Sequence, residues 1–268
     1  MAPKITLVDV TKVYHGRARQ LVALRDVSFE VGNGEFVCIV GPSGCGKSTL
    51  LRILAGLVPH TSGRVAITAG DRGKPLHSLV FQEYAIFPWK TVHDNVAFGL
   101  QMRGVPEAAR TRVVDRWIER VGLRDFANAY PRQLSGGMRQ RVGIARAFAN
   151  DPEVLLMDEP LGALDAQTRL ILMDELLALW QSDRKTVVYI THDIEEALLL
   201  GDRVILMTAR PGTPKATFEV PFPRPRGMAL MAAPEFAQLS YRIWEALRDE
   251  AIEAMGARTA AEATGTRG

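Results

Sequence analysis

The sequence predicts an α/β fold in which strands buried on both faces alternate with helices. Three observations predict it. The glycine-rich stretch GPSGCGKST, residues 41–49, follows the apolar run EFVCIV and precedes LLRILAGL, the order of strand, loop and helix that a phosphate-binding loop requires. The later runs EVLLMDEP, TVVYITH and DRVILM are near-continuously apolar, and helical spacing around Leu170 to Trp180 and Ile194 to Leu200 separates them, as in a buried parallel sheet. From about Val92 to Asn150 the pattern is helical, with Pro88, Pro106 and Pro131 breaking it into pieces, which reads as a helical insertion.

Taken in order, KITLVDVTKVY, ALRDVSFEV and EFVCIV are β-branched or alternating runs, with a turn at Gly32-Asn33-Gly34 before the third. The phosphate loop and its helix come next, then the helical insertion, then the three apolar strands. PGTPKATFEVPFPRPR is too proline-rich for a central strand or a helix; Thr217 to Val220 suits a short edge strand and the remainder reads as a linker. Beyond it Phe236, Leu239, Ile243, Trp244 and Leu247 recur at helical spacing, whereas the closing RTAAEATGTRG has too little apolar content to order itself.

The bulk numbers exclude several classes. A chain of 268 residues with 47% hydrophobic content can bury a substantial core. The net charge of +3 gives no strong case for a nucleic-acid partner, and none is expected. Cys38 and Cys45 are too few for a disulfide framework, and no Cys/His spacing suits zinc, so a reducing compartment is expected. The opening MAPKITLVDV has no apolar signal core, and no apolar run approaches the roughly 20 residues that span a bilayer. Any membrane role is therefore expected to be peripheral.

The chemistry begins at residues 41–49. Gly41, Pro42, Ser43, Gly44, Cys45, Gly46, Lys47, Ser48 and Thr49 satisfy the full Walker A pattern, in which glycines let backbone N–H groups close around phosphate oxygens at the positive end of the following helix. Lys47 is placed to reach the β and γ phosphates of ATP, and Ser48 to ligate Mg2+. Val154 to Met157 form an apolar run ending in Asp158 and Glu159, the position where a strand's carboxyl end meets the ligand crevice. Asp158 is the expected magnesium holder and Glu159 the general base that polarises the attacking water.

Leu134-Ser135-Gly136-Gly137-Met138-Arg139-Gln140-Arg141 lies between these two motifs. It resembles the LSGGQ signature of the ATP-binding cassette (ABC) family, which contacts the γ phosphate of ATP held by another subunit. Ser135 supplies a hydroxyl, Gly136 and Gly137 permit close backbone approach, and a helix starts there with its N–H groups available. An N-capped helix after a turn is the plainer structural alternative.

The resemblance spans roughly residues 4 to 215 and implies a P-loop NTPase (RecA-like) core with an N-terminal antiparallel β subdomain and an inserted α-helical subdomain. The cassette is expected over 4–232, its helical part over about 92–150, and a C-terminal helical extension with a flexible tail over 233–268. Tyr14 resembles the aromatic residue that stacks on adenine. Gln82 resembles the glutamine that joins the magnesium shell to the transmembrane subunits. Leu161-Gly162-Ala163-Leu164-Asp165 resembles the loop through which two sites communicate, and His192 the histidine that senses the γ phosphate. Three positions depart from the family pattern: Met138 replaces glutamine, Gly162 stands where serine is common, and Cys45 occupies the phosphate loop, where it reads first as simply a small residue and alternatively, beside Lys47 and a helix N-terminus, as a thiol of lowered pKa.

LSGGMRQR, FPWKTVHDNV and PFPRPR look like the nitrate, sulfonate and taurine importer branch of that family. That implies a homodimer on the cytoplasmic face of the inner membrane, two transmembrane permease subunits and an external solute-binding protein. In Tyr84 to Lys90, Phe87 and Trp89 are either core residues or a permease contact. Two other functions share parts of the pattern. An ABC-type ATPase acting on DNA or ribosomes would usually add coiled coils, zinc sites or a second cassette. A small-molecule phosphotransferase would have no use for the signature or for Glu159 as a base.

Overall fold

A computed structural model describes residues 2–16, 20–70, 73–82 and 85–265; for 251 and 253–265 it describes the backbone alone. In chain order the elements are β1 (Ile5–His15), β2 (Gln20–Val31), β3 (Phe36–Val40), α1 (Lys47–Leu54), β4 (Ser62–Ile67), β5 (His77–Val80), α2 (Val92–Met102), α3 (Glu107–Arg120), α4 (Gly136–Ala149), β6 (Val154–Asp158), α5 (Ala166–Asp183), β7 (Thr186–Thr191), α6 (Ile194–Leu200), β8 (Arg203–Met207), β9 (Pro214–Glu219) and α7 (Pro234–Gly265). They divide into two compact units, Met1–Thr68 with Val188–Gly268, and Ala69–Val187. Among the described residues no helix is long and apolar enough to cross a membrane.

In the first unit β2, β1 and β4 form an antiparallel sheet in that order. Ile5, Leu7 and Val10 of β1 are buried, and the register shifts between Leu7 and Val10, where Asp9 has φ 49. Ser28 secures this irregularity: its Oγ accepts from the Asp9 N–H at 2.8 Å and donates to the Asp9 carboxylate at 2.9 Å. β3 is buried at every residue and pairs parallel with β8; β9 runs antiparallel on β8, with Pro214 at its first position where no ladder donor is needed.

In the second unit β5 pairs parallel with β6, and α2 packs on α3 and α4. Trp117 of α3 meets Phe148 of α4 with ring centroids 5.1 Å apart, both side chains buried. Pro106 caps α3, and Pro131 sits in the short 3-10 turn Pro131–Gln133 ahead of α4, so both prolines occupy helix boundaries where a missing N–H costs nothing.

Two expectations need correction. The PFPRPR segment is no free linker. Arg226, 5% exposed, donates to the carbonyls of Val220, Phe222, Leu198 and Gly201, while Arg224 pairs with Asp202 at 2.7 Å. Satisfying four backbone acceptors with one guanidinium ties this segment to the end of α6. The backbone of α7 is helical as far as Gly265, through most of a stretch expected to stay unordered. Low apolar content limits packing, but the alanines and glutamate of that stretch favour the helical backbone by propensity alone.

Candidate functional site

The phosphate loop joins the carboxyl end of β3 to α1. Gly44 and Gly46 adopt φ 79 and 106, values that side chains disfavour, and Gly46 is the N-cap of α1. A Cβ on Gly46 would lie 2.7 Å from the Ala23 carbonyl oxygen, so β2 passes too close for any other residue. Gly212 supports the loop from beside Cys45, and its N–H donates to that Ala23 carbonyl at 3.0 Å. Lys47 is 5% exposed, and its Nζ donates to the Gly41 and Pro42 carbonyls at 2.7 and 3.0 Å. The loop thus satisfies its own ammonium.

At Cys45 the small-residue reading holds and the activated-thiol alternative does not. Burial pushes its thiol above the ordinary range, and the opposing effect of Lys47, 3.9 Å from Sγ, is smaller. The thiol is a small buried packing group and no activated nucleophile. Ser48 and Thr49 stand in the first turn of α1, half-buried. Tyr14 lies on β1, also half-buried, with the Lys12 ammonium 4.8 Å from its ring centroid.

His192 follows β7 directly and is exposed. Its neighbours hold the turn. The Asp193 N–H donates to the Thr191 hydroxyl at 3.0 Å, and Asp193 caps α6 by accepting from Glu195 and Glu196 N–H groups at 2.9 and 3.1 Å. Sequence reasoning missed Glu196, which is 5% exposed and accepts hydrogen bonds from the Tyr189 and Thr191 hydroxyls. The signal was an acid in the first turn of a helix with an apolar strand before it. Burial, reinforced by the Glu196 charge, pushes the Tyr189 phenol well above its usual range.

In the second unit Asp158 ends β6 and is 6% exposed; Glu159 follows with φ 43. That backbone turns the chain after the strand, and the Gly162 N–H donates back to the Glu159 carbonyl at 3.1 Å. Gln82, exposed after β5, donates from Nε2 to Glu159 Oε2 at 3.4 Å, which brings two residues 77 positions apart into one site. A Cβ on Gly162 would stand 3.5 Å from the same carboxylate oxygen, an ordinary contact, so lack of space does not account for this glycine.

Ser135 is the N-cap of α4 and accepts from the Met138 N–H at 3.3 Å. Its hydroxyl proton is left for another acceptor, and the side chain is exposed. Gly137 has a packing reason as well, because a Cβ there would approach the Thr168 methyl to 3.0 Å. Met138 is half-buried, while its N–H completes the cap. Asp165, closing the loop after Glu159, caps α5 by accepting from the Thr168 N–H at 3.0 Å.

Of the apolar stretch after Gln82, Tyr84 lies outside the described residues. Phe87 is anchored, 4.6 Å from the Phe98 ring, but Trp89 is 70% exposed. Asn95, fully buried, fixes this turn by accepting from the Phe87 N–H at 2.7 Å and donating to the Phe87, Lys90 and Thr91 carbonyls.

Residues 24–162 match the family model described as ABC transporter. An uncharacterized ABC transporter ATP-binding protein of Methanocaldococcus jannaschii is 45% identical over 95% of this chain and 95% of its own length. The nitrate import ATP-binding protein NrtD of Synechocystis is 43% identical over 93% and 97%, and the taurine import ATP-binding protein TauB of Roseobacter denitrificans 48% identical over 75% of each chain. Among solved structures, a dimeric post-hydrolysis state of the ATP-binding cassette MJ0796, bound to ADP and Pi, superposes with TM-score 0.72 at 35% identity, covering 81% of this chain and 99% of that one. The resemblance and the α/β P-loop NTPase fold inferred from the motifs both hold: the chain belongs to the ABC transporter family, as one of its ATP-binding and ATP-hydrolysing cassettes.

Proposed function

We propose that the chain energises solute import, working as a homodimer beneath two permease subunits on the cytoplasmic face of the inner membrane and served by an external solute-binding protein. The solute is a small anion or related compound of the nitrate, sulfonate or taurine type. The cassette occupies 4–232, its helical part about 92–150, and residues 233–268 extend it. The observation that carries the reading is the phosphate loop, where two positive-φ glycines and a buried, carbonyl-held Lys47 frame the start of α1.

Residues 41–49 cradle the phosphates through backbone N–H groups, with Lys47 on the β and γ oxygens and Tyr14 against adenine. The Ser48 hydroxyl, the Asp158 carboxylate and the Gln82 amide oxygen are hard oxygen donors of the kind Mg2+ takes. Mg2+ is commonly held by one or two carboxylates together with substrate phosphates, a role for which Asp158 is the carboxylate here. When bound, Mg2+ neutralises charge on the phosphates.

Glu159 takes the proton of the attacking water, and Gln82, within reach of its Oε2, orients the carboxylate and responds to the permease. His192 senses the γ phosphate. Ser135, Gly136 and Gly137 meet the nucleotide of the other copy, so each ATP is completed by two chains. Trp89, presented by the Asn95-held turn, docks the permease.

Glu159→Gln tests the reading. The amide keeps the shape and loses basicity, so the variant should bind Mg-ATP, turn over at least about a hundredfold more slowly, and sediment as an ATP-dependent dimer. Near-normal turnover would move the base elsewhere; a monomer with bound ATP would remove the two-chain site.

A further inference from the structure

We propose that a cleft in the second unit, distant in sequence from the phosphate loop, is a binding site for a small organic anion: a carboxylate or sulfonate carrying a compact apolar body. The cleft has a volume of about 470 Å3, within the range that accepts small ligands, and it lies where α2, α3 and α4 converge with the end of α5.

The charges around it are unevenly used. Asp151 is paired with Lys74 at 2.9 Å and Lys185 at 2.6 Å, and Asp183 with Lys185 at 3.0 Å. Arg103 is held by two carbonyls, those of Asn150 at 2.8 Å and Gly73 at 2.7 Å. Arg116 and Arg120 differ. They stand one helical turn apart on the lining face of α3, both exposed, and among the described residues neither has a carboxylate within ion-pair distance. Like charges at this spacing repel, and an anion seated between them converts the repulsion into two charge-assisted contacts.

Part of the wall beside them is apolar, within a lining that is otherwise mostly polar. Val105 and Val113 are half-buried and line the cleft, so part of their surface is open to it, with Trp117 behind. The Arg120 guanidinium already lies 4.9 Å from the Trp117 ring centroid, which restrains one of the two cations without neutralising it. Guanidinium groups beside hydrocarbon select an anion with an apolar body over a fully hydrated inorganic ion. Phe148 and Ala149, also in the lining, are the C-terminal end of α4, whose other end is capped by Ser135, so an occupant contacts the helix that carries the signature.

The test is calorimetric titration of the full chain with benzenesulfonate, using saturating ADP to keep the anion out of the phosphate loop. Saturable one-to-one binding is expected, with roughly tenfold or greater weakening in Arg116→Glu/Arg120→Glu and in the milder Arg116→Gln/Arg120→Gln, and with weaker binding of neutral benzenesulfonamide. Both variants alter exposed side chains, and their ADP titrations report that the fold persists. Absence of saturable binding to the wild type, or affinity retained in the Gln variant, overturns the site. Inorganic sulfate binding as tightly as benzenesulfonate overturns the organic-anion class.

Discussion

The two left-handed glycines of the phosphate loop invite a paired experiment, because their surroundings differ while their motif is shared. Gly44 has φ 79 and open space where a Cβ would project, so Gly44→Ala incurs only backbone strain, about 1 kcal/mol, or roughly fivefold in ATP affinity. Gly46 has φ 106, and its Cβ would sit 2.7 Å from the Ala23 carbonyl oxygen and 2.8 Å from Leu24 Cδ2. Ala23 is buried, and its oxygen is held by the Gly212 N–H at 3.0 Å, so it has no room to retreat. Adding an overpacking cost to the strain gives about 3 kcal/mol, or roughly a hundredfold. Titration with a fluorescent ATP analogue, paired with melting curves of the nucleotide-free chains, separates loss of affinity from loss of fold. The reasoning fails if Gly46→Ala binds as tightly and melts as high as Gly44→Ala.

Three further outcomes are expected. Arg226→Ala strands buried carbonyls at Leu198, Gly201 and Val220 and a half-buried one at Phe222, and should cost about 3–5 kcal/mol, read as a fall in Tm of roughly 10 °C; a fall below about 2 °C would mean that water replaces the guanidinium. Trp89→Ala should leave the ATPase rate of the isolated chain unchanged and reduce ATP-driven uptake in the assembled transporter, whereas unchanged uptake would remove Trp89 from the permease contact. Burial pushes the Asp151 carboxyl up, but hydrogen bonds from Lys185 and Lys74 outweigh it and hold the pKa below the ordinary carboxylate range. The folded state therefore gains stability above that range and loses it as pH falls through the lowered value. Melting curves of wild type and Asp151→Asn should converge in acid, and a constant gap would refute the pairing.

What the sequence made legible was whatever is local along the chain. The Walker A residues, Asp158 with Glu159, and the Ser135 cap each lie in one short stretch, and strands β3 and β6 announce themselves because every residue in them is buried. β4 was not legible, since its apolar face holds only Val65 and Ile67, both half-buried, in a short run that opens with Ser62 and Gly63. The Arg226 clamp escaped notice because its acceptors are backbone carbonyls up to 28 positions away, and carbonyls have no letter in a sequence. Cys45 shows the same limit in electrostatics: Lys47 and the helix start are visible neighbours that lower a thiol pKa, while the burial that dominates comes from the folded surroundings. Glu196 was read past for the opposite reason, as an acid at a helix start looks solvated until the strand beside it supplies two hydroxyl donors.

The signature is the instructive intermediate case. Ser135 caps α4, and Gly137 leaves room for the Thr168 methyl, so both residues have a sufficient reason inside a single chain. The cap uses one lone pair of the Ser135 hydroxyl and leaves its proton on an exposed side chain, at the positive end of a 14-residue helix. Capping alone would be served equally by aspartate, whose charge would repel a phosphate there; a neutral hydroxyl that caps with its oxygen and still donates its proton is compatible with both the fold and an incoming γ phosphate.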